Sequence, residues 1–362
     1  MCGLQARARP ESDRQGGTRT MHVLQLDDRE VSAVQELCAE LAARYATVES
    51  AEFLRESRLY AQELPRGVRR ELEDFRLTEK SGALVVTGLT VDDASLGPTP
   101  ADHASAPSLS PSHHQDLAFF LIASLLGDPI GWATQQDGRI MHDIYPVEKY
   151  EHDQIGWGSA QTLTWHTEDA FHHLRTDYLG LMCLRNPDGT ETTVADVADI
   201  QLDEATRRLL GEKRFRILPD DSHRPEAAGS GRVLTPREAR LHEQARERVE
   251  RALKEPEPVA VLFGDTESPY LVIDPYYMQG QHEGEEQEAL DRIGEAIDTA
   301  MSGVVLTPGD ICFLDNYQVV HGRKPFQARF DGTDRWLRRL NIARDLRRSR
   351  EYRLSADSRV VH

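Results

Sequence analysis

Three side chains in two distant stretches have the types and spacing to hold one metal ion. His166 and Glu168 stand two apart in Trp165-His166-Thr167-Glu168-Asp169, and His321 lies far downstream between Asn316 and Gly322. Strand residues two apart point to the same face, so one imidazole and one carboxylate can approach an ion from one side. A histidine from a separate strand completes the set. Two histidines and one carboxylate, with the remaining positions open, suit non-haem Fe(II) that must also bind a cosubstrate and O2. The chain has 14 histidines, so the triplet needs support from its surroundings. The adjacent pairs His113-His114 and His172-His173 cannot both face one ion from a strand. Asp169 and His173 read as support for the site or as surface groups, and His142 and Asp143 read as structural.

The 362 residues suffice for one large domain or two ordinary ones. Hydrophobic content of 39% with 29% charged residues suits a soluble protein with a real core. The net charge of −18 disfavours nucleic acid, whose phosphates need Lys and Arg. It would attract a small cationic substrate. Cys2, Cys38, Cys183 and Cys312 are scattered with no C-x-x-C, which reads as buried thiols in a reducing cytoplasm. No apolar run is long enough to span a membrane, so no membrane partner is expected; a homo-oligomer is left open. Residues 1–20, rich in Arg, Gly and Gln, read as a disordered leader, with Met21 as an alternative start.

These candidate ligands need elements to position them. Residues 21–80 read as helical, with Val31, Val34, Leu37 and Leu41 on one face. Residues 83–88 read as a buried strand and 117–126 as a core helix. Strands are expected at 130–135 and 139–145, joined as a hairpin by Asp137-Gly138. Further strands are expected at 162–166, 178–184, 191–197, 214–218, 259–264, 270–274, 304–307, 311–314 and 335–343. Helices are expected at 203–211, 237–254 and 283–300. The polar stretch of about 219–237 reads as a lid. Short strands flanked by helices make an α+β fold with a sandwich or barrel core. Residues 21–345 form a single domain in this reading, and 346–362 a C-terminal tail.

The run from Leu306 to Phe326 holds Pro308-Gly309-Asp310, an apolar strand, Asp315-Asn316 and His321-Gly322-Arg323; Arg335 follows fourteen residues past His321. With the upstream H-T-E, this pattern resembles the Fe(II)/2-oxoglutarate dioxygenases of the clavaminate synthase-like group, relatives of taurine dioxygenase. The resemblance spans about residues 80–345. It implies a double-stranded β-helix (jelly-roll, cupin-like) core flanked by helices, with Fe(II), 2-oxoglutarate and O2 as the reacting set. It makes His166, Glu168 and His321 the iron ligands. It assigns Arg335 to the far carboxylate of 2-oxoglutarate, where a forked cation is the best donor, and Thr193 to the hydroxyl beside it.

Glu in H-x-E points, within that group, to hydroxylases of free amino acids, closest to those of arginine and lysine. The resemblance then assigns Arg339 to the substrate α-carboxylate and Gln135 with Glu168 to its α-amino group. Asp220 and Ser222 belong to the lid, and Ser159 to the mouth. Asp274, delivered by the apolar run Tyr270 to Ile273, would read the substrate's cationic end; its other reading is a cap on the turn before Pro275. In arginine hydroxylases a second acid stands two residues on, where this chain has Tyr276. One acid and a phenol suit a compact ammonium better than a planar guanidinium. The expectation is therefore hydroxylation at C3 or C4 of free L-lysine, with L-arginine, ornithine or citrulline as the alternative. Desaturation or cyclisation at the same centre, and a non-catalytic cupin-like binding protein, are the other readings. The last conflicts with an intact triad and Arg335.

Overall fold

The computed structural model describes residues 21–102, 109–223 and 234–362. The expected leader and the middle of the expected lid lie outside them. The strands are β1 (His22–Gln25), β2 (Ala83–Thr87), β3 (Asp128–Trp132), β4 (Met141–Ile144), β5 (Leu163–His166), β6 (Tyr178–Arg185) and β7 (Glu191–Asp196), then β8 (Leu262–Gly264), β9 (Pro269–Leu271), β10 (Ser302–Val305), β11 (Ile311–Asp315), β12 (Val319–Arg323), β13 (Trp336–Ala343) and β14 (Val360–Val361). The helices are α1 (Asp28–Arg44), α2 (Ala51–Ala61), α3 (Arg66–Thr78), α4 (Asp93–Leu96), α5 (His113–Ala123), α6 (Glu204–Leu210), α7 (Pro236–Lys254), α8 (Pro275–Met278) and α9 (Gly284–Ala300).

Two sheets carry the fold. The larger has the order β1-β2-β11-β6-β13-β3-β14, with β4 also on β13, and the smaller has the order β10-β7-β12-β5. Alternation along the strands explains the layering. Leu179, Leu181 and Cys183 of β6 join Val194, Cys312, Val319 and Leu337 in an apolar layer fed by both sheets. The opposite faces of the same strands supply Tyr178, Met182, Phe313 and Ile342, which pack under α1, α2, α3 and α5. Every residue of β6 is buried. α5 comes so close at Gly180 that an added Cβ would stand 2.9 Å from the Phe119 ring. A third cluster joins β7, β12, α6, α9 and the β8–β9 ribbon. Each fully buried Leu or Phe contributes about 1.5–3 kcal/mol to this arrangement.

The elements depart from sequence expectation at several places, among them the strand expected at 270–274, which ends at Leu271 before α8 begins at Pro275. Residues 22–25 form β1, parallel to β2 at the sheet edge, and helix begins only at Asp28, where Asp27 and Glu30 make a capping box. β3 and β4 make no hairpin: both lie along one edge of β13, with Gln136 and Asp137 turning between them at positive φ. Residues 214–218 contribute a single bridge, Phe215 to Val259. The segment after 345 is no loose tail. β14 pairs in parallel with β3, Val361 is buried beside Ile130 and Trp132, and the Arg353 guanidinium donates to four backbone carbonyls. Cys38, Cys183 and Cys312 are buried free thiols. No helix among the described residues is long and apolar enough to cross a membrane.

Candidate active site

The smaller sheet brings the predicted ligands together. His166 on β5 pairs directly with His321 on β12, which puts both rings on one face, 4.6 Å apart between centroids. Glu168 Oε2 stands 3.8 Å from His166 Nε2 and 3.5 Å from His321 Nε2. The His166 Nδ1 is occupied by the Thr164 carbonyl at 2.8 Å, leaving Nε2 to point inward. The nearby donor atoms all lie within 4.8 Å of one another, so the three side chains fit a single ion with one side open.

β5 ends at His166, so strand alternation is not what places Glu168. Asn316 does this: its side-chain oxygen accepts from the Glu168 N–H at 2.7 Å and its amide donates to the Glu168 carbonyl at 2.9 Å. Thr167 ties the same turn to the segment between β9 and α8 that holds Asp274, through its N–H and hydroxyl to Ile273. Glu168 is buried, which opposes its charge. Arg339 and the two imidazoles outweigh that cost and hold its carboxyl well below the usual range.

A cavity opens beside the triad, with Arg335 at one wall and Asp274 at another. Arg335 is buried, has no carboxylate within ion-pair distance among the described residues, and donates to Thr192 Oγ1 at 3.3 Å. Thr193, the residue expected there, is displaced by one. Thr192 and Val194 share the face of β7 that meets Arg323 and His321 of β12, whereas Thr193 stands over Gly322. Without the strand pairing, nothing in Thr192-Thr193 marks which hydroxyl turns inward.

Across the cavity, Arg339 donates to Glu168 Oε1 and Gln135 Oε1, both at 2.8 Å, and meets His142 Nδ1 at 2.7 Å. Asp274 is buried, caps α8 by accepting from the Tyr277 N–H, and also faces the cavity. The cap reading is thus observed, and the carboxylate is placed where a ligand in the cavity could meet it. Burial pushes its carboxyl up to about 6. Tyr276 lies at the rim, 40% exposed.

Asp220 and Ser222 reach the cavity from the segment before α7. Gln135 donates to Ser222 Oγ at 2.8 Å, and Asp220 accepts from the Ser222 N–H. His223, Trp132 and Tyr277 were not foreseen as anchors, whereas Asp169, expected as support for the site, joins the first two. His223 is buried against Asp169 at 2.8 Å and Thr134 at 2.8 Å. Asp169 also accepts from the Trp132 indole. The Tyr277 hydroxyl accepts from the Asp221 N–H at 2.9 Å. Ser159 does not line the cavity: it is fully buried, and its carbonyl accepts from Arg323 and from the Phe326 N–H.

Residues 72–341 match the model of the taurine catabolism dioxygenase TauD, TfdA family. The chain belongs to this family. It is accordingly an enzyme of the Fe(II)- and 2-oxoglutarate-dependent dioxygenase class. It is 66% identical over 342 residues to enduracididine beta-hydroxylase of Streptomyces hygroscopicus, covering 94% of this chain and 100% of that one. It is 44% identical to the L-ornithine/L-arginine 3-hydroxylase of Catenulispora acidiphila, covering 94% and 100%. Among solved structures it is similar to the non-heme iron oxygenase OrfP in complex with Fe, succinate and (3S)-hydroxy-L-Arg. That match has a TM-score of 0.85 and 39% identity, and covers 94% of this chain and 99% of that one.

Proposed function

We propose that this dioxygenase hydroxylates C3 of a free guanidino amino acid, arginine or a cyclic-guanidine relative of it such as enduracididine. In this reading the two-sheet core is a jelly roll, and His166, Glu168 and His321 hold the iron. The bound iron, with 2-oxoglutarate and O2, supplies an oxidant able to break an unactivated C–H bond. The protein supplies position and dryness. Arg335 and Thr192 fix the far carboxylate of 2-oxoglutarate. Arg339 takes the substrate α-carboxylate, and Gln135 with Glu168 orients the α-amino group. Asp220 and Ser222 cover the amino acid from the lid.

The observation that carries the substrate class is Asp274, a buried carboxylate facing the cavity with no Lys or Arg partner among the described residues. Such a group calls for a cation, and one carboxylate can take two parallel N–H donors from one edge of a guanidine. The lysine expectation gives way here. It rested on Tyr276 replacing a second acid, yet a phenol at the rim leaves a guanidine plane free to lie against an aromatic face. The two curated relatives described above, named for guanidino or ornithine substrates, support the same choice.

The deciding measurement is succinate release by the Fe(II)-loaded protein with arginine, enduracididine, ornithine, citrulline and lysine, with products identified by NMR. A guanidino amino acid should exceed lysine and neutral citrulline by tenfold or more, roughly the weight of one charge-assisted contact, with the new hydroxyl on C3. A preference for lysine, or succinate release that no amino acid stimulates, would overturn the proposal.

A further inference from the structure

Arg323 is a buried cation that the function above does not use. It stands two residues past His321 on β12, so its side chain shares the face of that ligand. Its cross-strand partner on β7 is Thr192, the residue that accepts from Arg335. It lines the same cavity and is 4% exposed. Its terminal nitrogens are pinned: Nη1 donates to the Ser159 and Lys324 carbonyls, and Nη2 to the Gln161 carbonyl. The Phe326 ring lies 5.0 Å from its Cζ. The Nε of Arg323 and the Nε of Arg335 are both buried with no partner.

The charge balance is unusual. Neither guanidinium has a carboxylate within ion-pair distance among the described residues, although the chain is strongly acidic. Two uncompensated buried cations on one wall are costly unless an anion joins them. Carbonyl contacts alone do not explain the arrangement, since they fix the guanidinium without neutralising it.

We propose that Arg323 is a second positioning cation for the distal carboxylate of 2-oxoglutarate, held rigidly by the loop carbonyls so that its charge adds to that of Arg335. This rests on the proposed 2-oxoglutarate site. Its consequence is a wall that selects a 2-oxo acid with two carboxylates over one with a single carboxylate.

The test is calorimetric titration of the Fe(II)-loaded protein without oxygen, so that no turnover occurs. The ligands are 2-oxoglutarate and 2-oxopentanoate, which lacks the distal carboxylate. Arg323→Gln should weaken 2-oxoglutarate about tenfold or more and leave 2-oxopentanoate unchanged, while Arg323→Lys, which keeps the charge, should retain most of the affinity. An equal loss for both acids, or for neither, would overturn the proposal and leave Arg323 a tether for residues 159–161. If the Gln variant does not fold, Arg323→Met, which also removes the charge and keeps the stem, is judged by the same criteria. A wild type that fails to separate the two acids would instead remove the 2-oxoglutarate site, and this proposal with it.

Discussion

Asp274 must remain charged to hold a cation, and its surroundings work against that charge. Burial moves it up to about 6 from the ordinary 3.8. The carboxyl of the folded, empty protein therefore takes up a proton at a higher pH than in the unfolded chain. As pH falls through about 6, KM for the cationic amino acid should rise while KM for 2-oxoglutarate stays flat; steady-state titration of each substrate checks this. Asp274→Asn should lower kcat/KM for the amino acid about a hundredfold, the weight of a buried charge-assisted pair. The same variant should not lose thermal stability. Asn also caps a helix, and the cost of burying an ionised group disappears. The sign of the linkage sharpens this test: an acid with a raised folded pKa destabilises the fold at neutral pH, and that cost is relieved as pH drops from about 6 towards about 4. Any melting-temperature gain of the variant should therefore be largest near neutral pH and fade in acid.

Among the elements, α8 has a role beyond its four residues. It is capped by Asp274, and its Tyr277 receives the Asp221 N–H through the hydroxyl and the Leu218 N–H through the carbonyl. In the proposed function, the group assigned to the substrate cation and the segment assigned to cover it are thus joined through one helical turn. Tyr277→Phe removes one hydrogen bond, worth about 1 kcal/mol net, from the covering segment. It should raise the fraction of 2-oxoglutarate consumed without hydroxylated product several-fold, measured as the ratio of succinate to product. This coupling was not legible from sequence. Tyr276-Tyr277 announces two aromatic rings but not that one is exposed beside Asp274 while the other is buried under Asp221. By contrast, the triad was legible because H-T-E and the run from Pro308 to Arg335 tie residue type to spacing. Thr193 failed for the opposite reason. Two adjacent threonines differ only in which face they occupy, and pairing with β12 decides that.

At the scale of the molecule, most helices and strands with clear apolar runs were read correctly, and the errors lie mainly where partners are remote. β1 and β14 are short, with little apolar pattern of their own, and exist because β2 and β3 offer edges to them. β3 and β4 seemed a hairpin from Asp137-Gly138, yet both are spent on β13. β14 closes the edge of the strand that leads to Gln135. Removing residues 359–362 should cost roughly 2–4 kcal/mol, from the burial of Val361 and the lost ladder bonds. Denaturant unfolding measures it, with a stability loss of under ~0.5 kcal/mol as the outcome that would return this segment to the status of a tail.

The division of labour between Asp274 and Tyr276 has a consequence for how such an enzyme can change. Asp274 is bound into the cap of α8, so any replacement removes a charge and most replacements remove the cap as well. Tyr276 is two residues away on the open rim and caps nothing. A new side chain there carries little folding cost. Drift or selection towards a different cationic substrate can therefore sample position 276 freely while the acid beneath it stays in place, and a laboratory search for altered substrate preference would begin at that rim.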